Sequence, residues 1–266
     1  MPKTEKRPGP FSFGRSPKSG RWKNFLSACL GILLIGGFVQ AAGIIKGDSL
    51  VFPGVPQILS AFFRLIRSAE TWEKIGVTLI HLSEAVLIST VIGVSLGLVQ
   101  GMNPFFRNLL TPLMVFLRSI PMIVLSVIVM VITKYENVPV AVPCLVLIPM
   151  ISEAASEGCR RIEPELIDVY RLNGSFGLRI LLRVYLPLMA GYLRQAWLNA
   201  VGVGVRTAVT AEYLVQNRNS LGKAIFTSSY FFEYEDIFAY ALIMILLILL
   251  ISELPLNLLK LLRKDK

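Results

Sequence analysis

Five ionisable side chains sit inside otherwise apolar runs of this chain: His81, Glu84, Arg118, Arg206 and Glu212. Burying such a group in hydrocarbon costs about 2.5–3.5 kcal/mol on insertion scales, so groups like these usually face a protein interior or a water-filled cavity. Two kinds of chemistry fit them. They can line a polar path, in which case Arg118 and Arg206 favour an anionic or zwitterionic solute. They can also pair with one another: His81 and Glu84 are an i, i+3 pair on one helix face, and Arg206 and Glu212 lie near two helical turns apart. Catalysis is a poor fit, because His81 is the only histidine and neither an aspartate cluster nor a nucleophile elbow accompanies it. Cys29, Cys144 and Cys159 lack metal-ligand spacing and read as free thiols. Gly222-Lys223 lacks the upstream glycine and the following hydroxyl of a phosphate-cradling loop, so the chain cannot bind ATP by that route. No cofactor or metal is expected.

The elements that must hold these groups are membrane helices. Hydrophobic residues make up 54% of the 266, and mean hydropathy is +0.64. Six apolar runs meet or approach the roughly 20 residues needed to cross a bilayer: 25–45, 75–99, 109–132, 138–151, 184–214 and 237–259. The fourth is short, and its helix is expected to run on through Glu153-Ala154-Ala155-Ser156-Glu157 into water. Pro112 and Pro121 bracket Arg118 and should loosen the backbone there. The expected fold is an all-α polytopic membrane protein of about six spans.

Basic residues set the orientation. Seven Lys and Arg fall in the first 23 residues, Lys260, Arg263, Lys264 and Lys266 close the chain, and Arg160, Arg161, Arg171, Arg179 and Arg183 lie between spans four and five. Basic loops stay cytoplasmic, and six spans put both termini and this loop on that side. The net charge of +10 is then a topology signal and an attraction to anionic membrane lipid, not to nucleic acid. The expected organisation is a disordered basic N-terminus (1–22), a membrane domain (23–260) with a cytoplasmic loop (157–183), and a basic tail (261–266). The aromatic-rich stretch 217–236 reads as an interfacial belt.

That loop has the grammar of two short helices and a sharp corner. Pro164 suits a first helical position, and Glu163, Glu165 and Asp168 favour the positive end of the helix it opens. Asn173-Gly174 supplies the helix stop, and Ser175 can cap the next helix. Leu166, Val169 and Tyr170 form an apolar stripe at i, i+3, i+4. Asp168-Val169-Tyr170-Arg171-Leu172-Asn173-Gly174, followed after nine residues by Val184-Tyr185-Leu186-Pro187, resembles the E-A-A-x3-G-x9-I-x-L-P docking motif of ABC importer permeases. Asp168 stands for Glu, Val169 and Tyr170 for the alanines, and Val184 for Ile; the bulk of Tyr170 calls for a roomier ATPase cleft.

The resemblance runs over most of residues 50–260 and is nearest the nitrate, sulfonate and taurine branch. Phe52-Pro53-Gly54-Val55-Pro56 with the amphipathic piece 58–66, Gly93 to Gly97 with Gly101, Arg118-Ser119-Ile120-Pro121, and Ala211-Glu212 carry it. His81 and Glu84 depart from that branch, which usually has Arg and Gly there. The resemblance implies a type I importer fold and a transport role rather than an enzymatic one. It implies three protein partners: a separate ABC ATPase, a periplasmic or lipid-anchored solute-binding protein, and a second permease copy (a homodimer, or a heterodimer with a sister chain). It implies residence in the bacterial inner membrane, and ATPase coupling by Glu165, Leu166, Asp168, Val169, Tyr170, Gly174, Leu186 and Pro187. The competing readings are a secondary transporter and a polytopic membrane enzyme.

Overall fold

Small residues at every fourth position decide how the central helices meet. A computed structural model describes residues 53–163, 165 and 180–262, together with 30, 31, 34, 36, 37, 40 and 41. In the N-terminal unit (1–56), the seven early positions are helical and the Gln40 Oε1 accepts a 3.0 Å hydrogen bond from the Val55 N–H. In the second unit (57–266), helix α1 (Val55–Arg67, which begins just before it) leads into α2 (Ala69–Met102), α3 (Pro104–Ser119) and α4 (Met122–Ile132). A 3-10 turn (Tyr135–Asn137) opens α5 (Val138–Arg160). A π-helical turn (Leu181–Tyr185) runs into α6 (Leu186–Val215), followed by α7 (Leu221–Tyr230) and α8 (Tyr234–Leu262). No strand occurs among the described residues.

On α2, Ala85, Ser89, Gly93, Gly97 and Gly101 fall on one stripe, with i, i+4 spacing. α5 runs parallel along that stripe. A Cβ at Gly93 would stand 2.9 Å from the Ile151 Cβ, one at Gly97 2.4 Å from the Ser152 carbonyl oxygen, and one at Gly101 2.6 Å from the Cys159 Cβ. All three distances are too short for any side chain. Association in lipid draws on close packing and polar contacts rather than on expulsion of water, and both are present. Gln100 Nε2 donates to the Ser152 Oγ at 2.9 Å, and Ser89 Oγ donates to the Cys144 carbonyl at 3.4 Å. α6 returns antiparallel to α5, with Gly158 packed against Met189 and Tyr192.

Three helical segments, Ala69–Met102, Tyr135–Arg160 and Tyr234–Ser252, are long and apolar enough to cross a membrane. The short fourth run thus belongs to a helix long enough for a full span, continuing through residues 153–157 as expected. The expected span 109–132, whose backbone the two prolines should loosen, is broken into α3 and α4, bent by 105° at the break. Pro121 supplies the reason: it disfavours helical geometry at Ile120, whose backbone is extended (φ −67°, ψ 127°). Pro112 lies inside α3 without ending it. α6 has the length to cross but is more polar, carrying Arg194, Gln195, Asn199, Arg206 and Glu212. The run 25–45 lies largely outside the described residues.

The amphipathic α1 buries Ile58, Ala61 and Leu65. Its Arg64 pairs with Glu235 and Asp236 in the first turn of α8, where the positive helix end favours acidic residues. Gly204 packs against Leu82 of α2 in the same chain.

The glycine stripe makes a matched prediction. Gly97→Ala should cost about 1–3 kcal/mol through overpacking, seen as a lower unfolding temperature in detergent and a lower membrane yield. Gly76→Ala, where nothing lies within 4 Å of the added Cβ, should be neutral or slightly stabilising.

Candidate functional site

The buried carboxylate of Glu212 organises one end of the bundle. Its side chain is fully buried, and three hydrogen bonds reach it from two other elements. Thr78 Oγ1 donates to Oε2 at 2.9 Å, and the Gly222 N–H donates to the same oxygen at 3.1 Å. His81 Nδ1 lies 2.7 Å from Oε1, and the two side chains share one hydrogen bond. Thr78 also accepts from the Leu221 N–H at 3.1 Å, and Ser220 Oγ caps the Lys223 N–H at 3.2 Å. The first free N–H groups of α7 are thus satisfied by side chains, and an acid sits where the helix dipole favours one.

Gly222 is needed for that approach, because a Cβ there would lie 2.4 Å from the Glu212 Cβ and 2.5 Å from the Tyr213 N. The glycine that fails as part of a phosphate loop is therefore a packing device. Neither pairing offered by the sequence forms. His81 turns to Glu212 rather than Glu84, and Arg206 donates its Nε–H to the Gly202 carbonyl at 3.1 Å, remaining exposed.

Arg118 belongs to a second cluster, about two-thirds of the way along α5. It donates to the Pro149 carbonyl at 2.8 Å and pairs with Glu153 at 2.5 Å, tying α3 to α5 just before the bend. The cavity beside it, about 200 Å³, is lined by Arg107, Arg118 and Arg160 against Glu153 and Glu157. Signs are nearly balanced there, so Arg118 alone does not mark an anion site. Glu84 stands apart from both clusters and lines an apolar cavity between α2, α4 and α5.

Of the expected coupling residues, Glu165 is helical and exposed. Leu186 packs partly buried beside the cluster of Leu98, Ala155, Cys159 and Met189, and Pro187 is exposed in the first turn of α6. Leu166, Asp168, Val169, Tyr170 and Gly174 lie outside the described residues. Cys144 and Cys159 are buried free thiols. Sequence reasoning missed Thr78, Glu153 and Gly222 as partners of the in-span charges. Thr78 could have been found one turn before His81 on the same face, whereas the approach of residues 220–222 leaves no local signal.

A family model described as the binding-protein-dependent transport system inner membrane component matches residues 89–265. This chain belongs to that family. The fold agrees: the inward-facing structure of the MetNI methionine ABC transporter superposes with a TM-score of 0.60 at 18% identity, covering 71% of this chain and 92% of that one. A search of curated proteins finds no match. The permease is thus an ABC importer membrane component with a type I importer-like helical fold. The matched residues include Arg118, Glu153, Glu212 and Gly222 and begin after Thr78, His81 and Glu84.

The Glu212 site predicts a split among variants. Thr78→Val removes one donor and orphans the Leu221 N–H, and should cost about 1–3 kcal/mol. Gly222→Ala should cost at least as much, since the added carbon meets backbone. Lys223→Ala should leave the thermal unfolding midpoint within a degree or two, as surface changes usually cost under about 0.5 kcal/mol. Thermal unfolding of the purified variants in one detergent checks all three.

Proposed function

We propose that the permease forms half of a translocation path, working as a pair with a second copy or a sister chain. A solute-binding protein delivers a small solute on the outer face, and a separate ATPase docks on the segment 157–183 at the inner face. Both chain termini lie on that inner side, as the basic residues require. The family match carries this reading, because the matched stretch 89–265 contains the docking-motif residues 168–187. Placement in the nitrate, sulfonate and taurine branch rests on the sequence motifs described above.

The helices flanking the segment support a way to transmit force. Gly158 near the end of α5 packs on Met189 and Tyr192 of α6. Ala155, Cys159, Ile162, Val184, Tyr185 and Met189 share one buried cluster with Leu98 of α2. The two ends of the docking segment are therefore clamped together, and a push on it moves α5 and α6 as a unit. The Arg118–Glu153 pair links that unit to α3, next to the 105° bend, where relative motion of the helices would open or close the path. Arg118, Glu153 and, in a separate cavity, Glu84 are the residues proposed to border it; Glu212 and His81 hold the outer end rigid.

Placing a charge in the docking segment tests the assignment. Val169→Asp and Gly174→Asp should reach the membrane at normal levels yet lose the ATPase on purification in mild detergent. Retention of the ATPase at wild-type stoichiometry in both variants would remove the segment from the coupling role.

A further inference from the structure

Glu84 meets no counter-charge among the described residues. It lies 15 residues into the 34-residue α2, about 22 Å from one end at 1.5 Å per residue, and so near the middle of the span. Its side chain is exposed to a half-open cavity of about 580 Å³ and, among the described residues, makes no hydrogen bond or ion pair. His81, one turn earlier, turns its Nδ1 to Glu212 at 2.7 Å rather than to Glu84. The remaining wall comes from Ile88 and Ile92 on α2, Val129 and Ile132 on α4, and Val140 and Ile148 on α5, with Thr133 and Asn137 at one end. No Lys, Arg or His is among the lining residues, so Glu84 sets the sign of the site.

A carboxylate at that depth is costly unless a cation meets it, and the volume lies in the range of pockets that hold small organic ligands. We propose that the cavity between α2, α4 and α5 binds an organic cation: an ammonium group held by Glu84, on a compact aliphatic body seated against the isoleucine and valine wall. The apolar wall rejects a fully hydrated metal ion, which would have to shed its water shell for a single carboxylate. The same wall and charge reject a sulfonate or carboxylate anion. Naming this cation as the class of cargo rests on the transport reading above; the binding site itself does not.

The test uses the full chain purified into nanodiscs of zwitterionic lipid, without ATPase, and measures equilibrium binding of radiolabelled tetrapropylammonium. Saturable binding near one per chain is expected, with heptane-4-sulfonate failing to compete. Glu84→Gln should weaken binding roughly ten- to a hundredfold, as for loss of a charge-assisted partner, while the unfolding temperature holds or rises. Ile88→Trp, which fills the cavity and keeps the carboxylate, should weaken it as well. Equal binding of ammonium and sulfonate, or unchanged affinity in Glu84→Gln, would overturn the proposal. So would a lack of saturable binding, including the case in which Glu84 is required only for association of two copies. Because no ATPase takes part, these failures leave the permease reading untouched, and absence of an ATPase partner would leave the cation site untouched.

Discussion

The backbone contact between α2 and α5 is the constraint on which the other features depend. With Gly93, Gly97 and Gly101 lacking side chains, the two helices approach until Ile151, Ser152 and Cys159 occupy the vacated space. In lipid this closeness is itself the driving force, through dispersion contacts and buried polar pairs such as Gln100 with Ser152. The contact also fixes the register of α5, and through Gly158 that of α6. α2 thereby meets α6 with Leu82 against Gly204, and about two turns further along α6 the carboxylate of Glu212 arrives opposite Thr78 and His81.

From that scaffold the charged side chains divide into those that brace and those that face open space. Glu212 is satisfied by three hydrogen bonds and closes the N-terminus of α7, so it is a structural element. Arg118 and Glu153 neutralise one another at the junction of α3 and α5, beside a 105° change of direction. Glu84 alone among these four faces an apolar cavity without a partner in the described chain.

Much of the fold was legible in the sequence, since apolar runs and helix-compatible glycine spacing report directly on membrane helices. The glycine stripe was readable as a close-packing face because i, i+4 periodicity is local. The short fourth run was readable as part of a span-length helix because its polar continuation keeps helix-forming residues. The bend at Pro121 was only half legible: proline announces a break, but the angle depends on how α4 packs Leu125 and Val129 against Val138 and Val142 of α5. The site was legible in residue choice and not in pairing. His81 with Glu84 and Arg206 with Glu212 are the partners that sequence spacing offers, whereas the real partner of His81 lies 131 residues away. Such contacts follow from helix register, which a single sequence does not encode locally.

The account stands or falls on a separate ATPase driving this chain. The most direct measurement is affinity purification of the tagged chain from its native membrane in mild detergent, with every stoichiometric partner identified by mass spectrometry. The account predicts a subunit carrying a phosphate-binding loop, released when the segment 157–183 is disrupted. A chain that purifies alone and still moves its solute in proteoliposomes without ATP would contradict it.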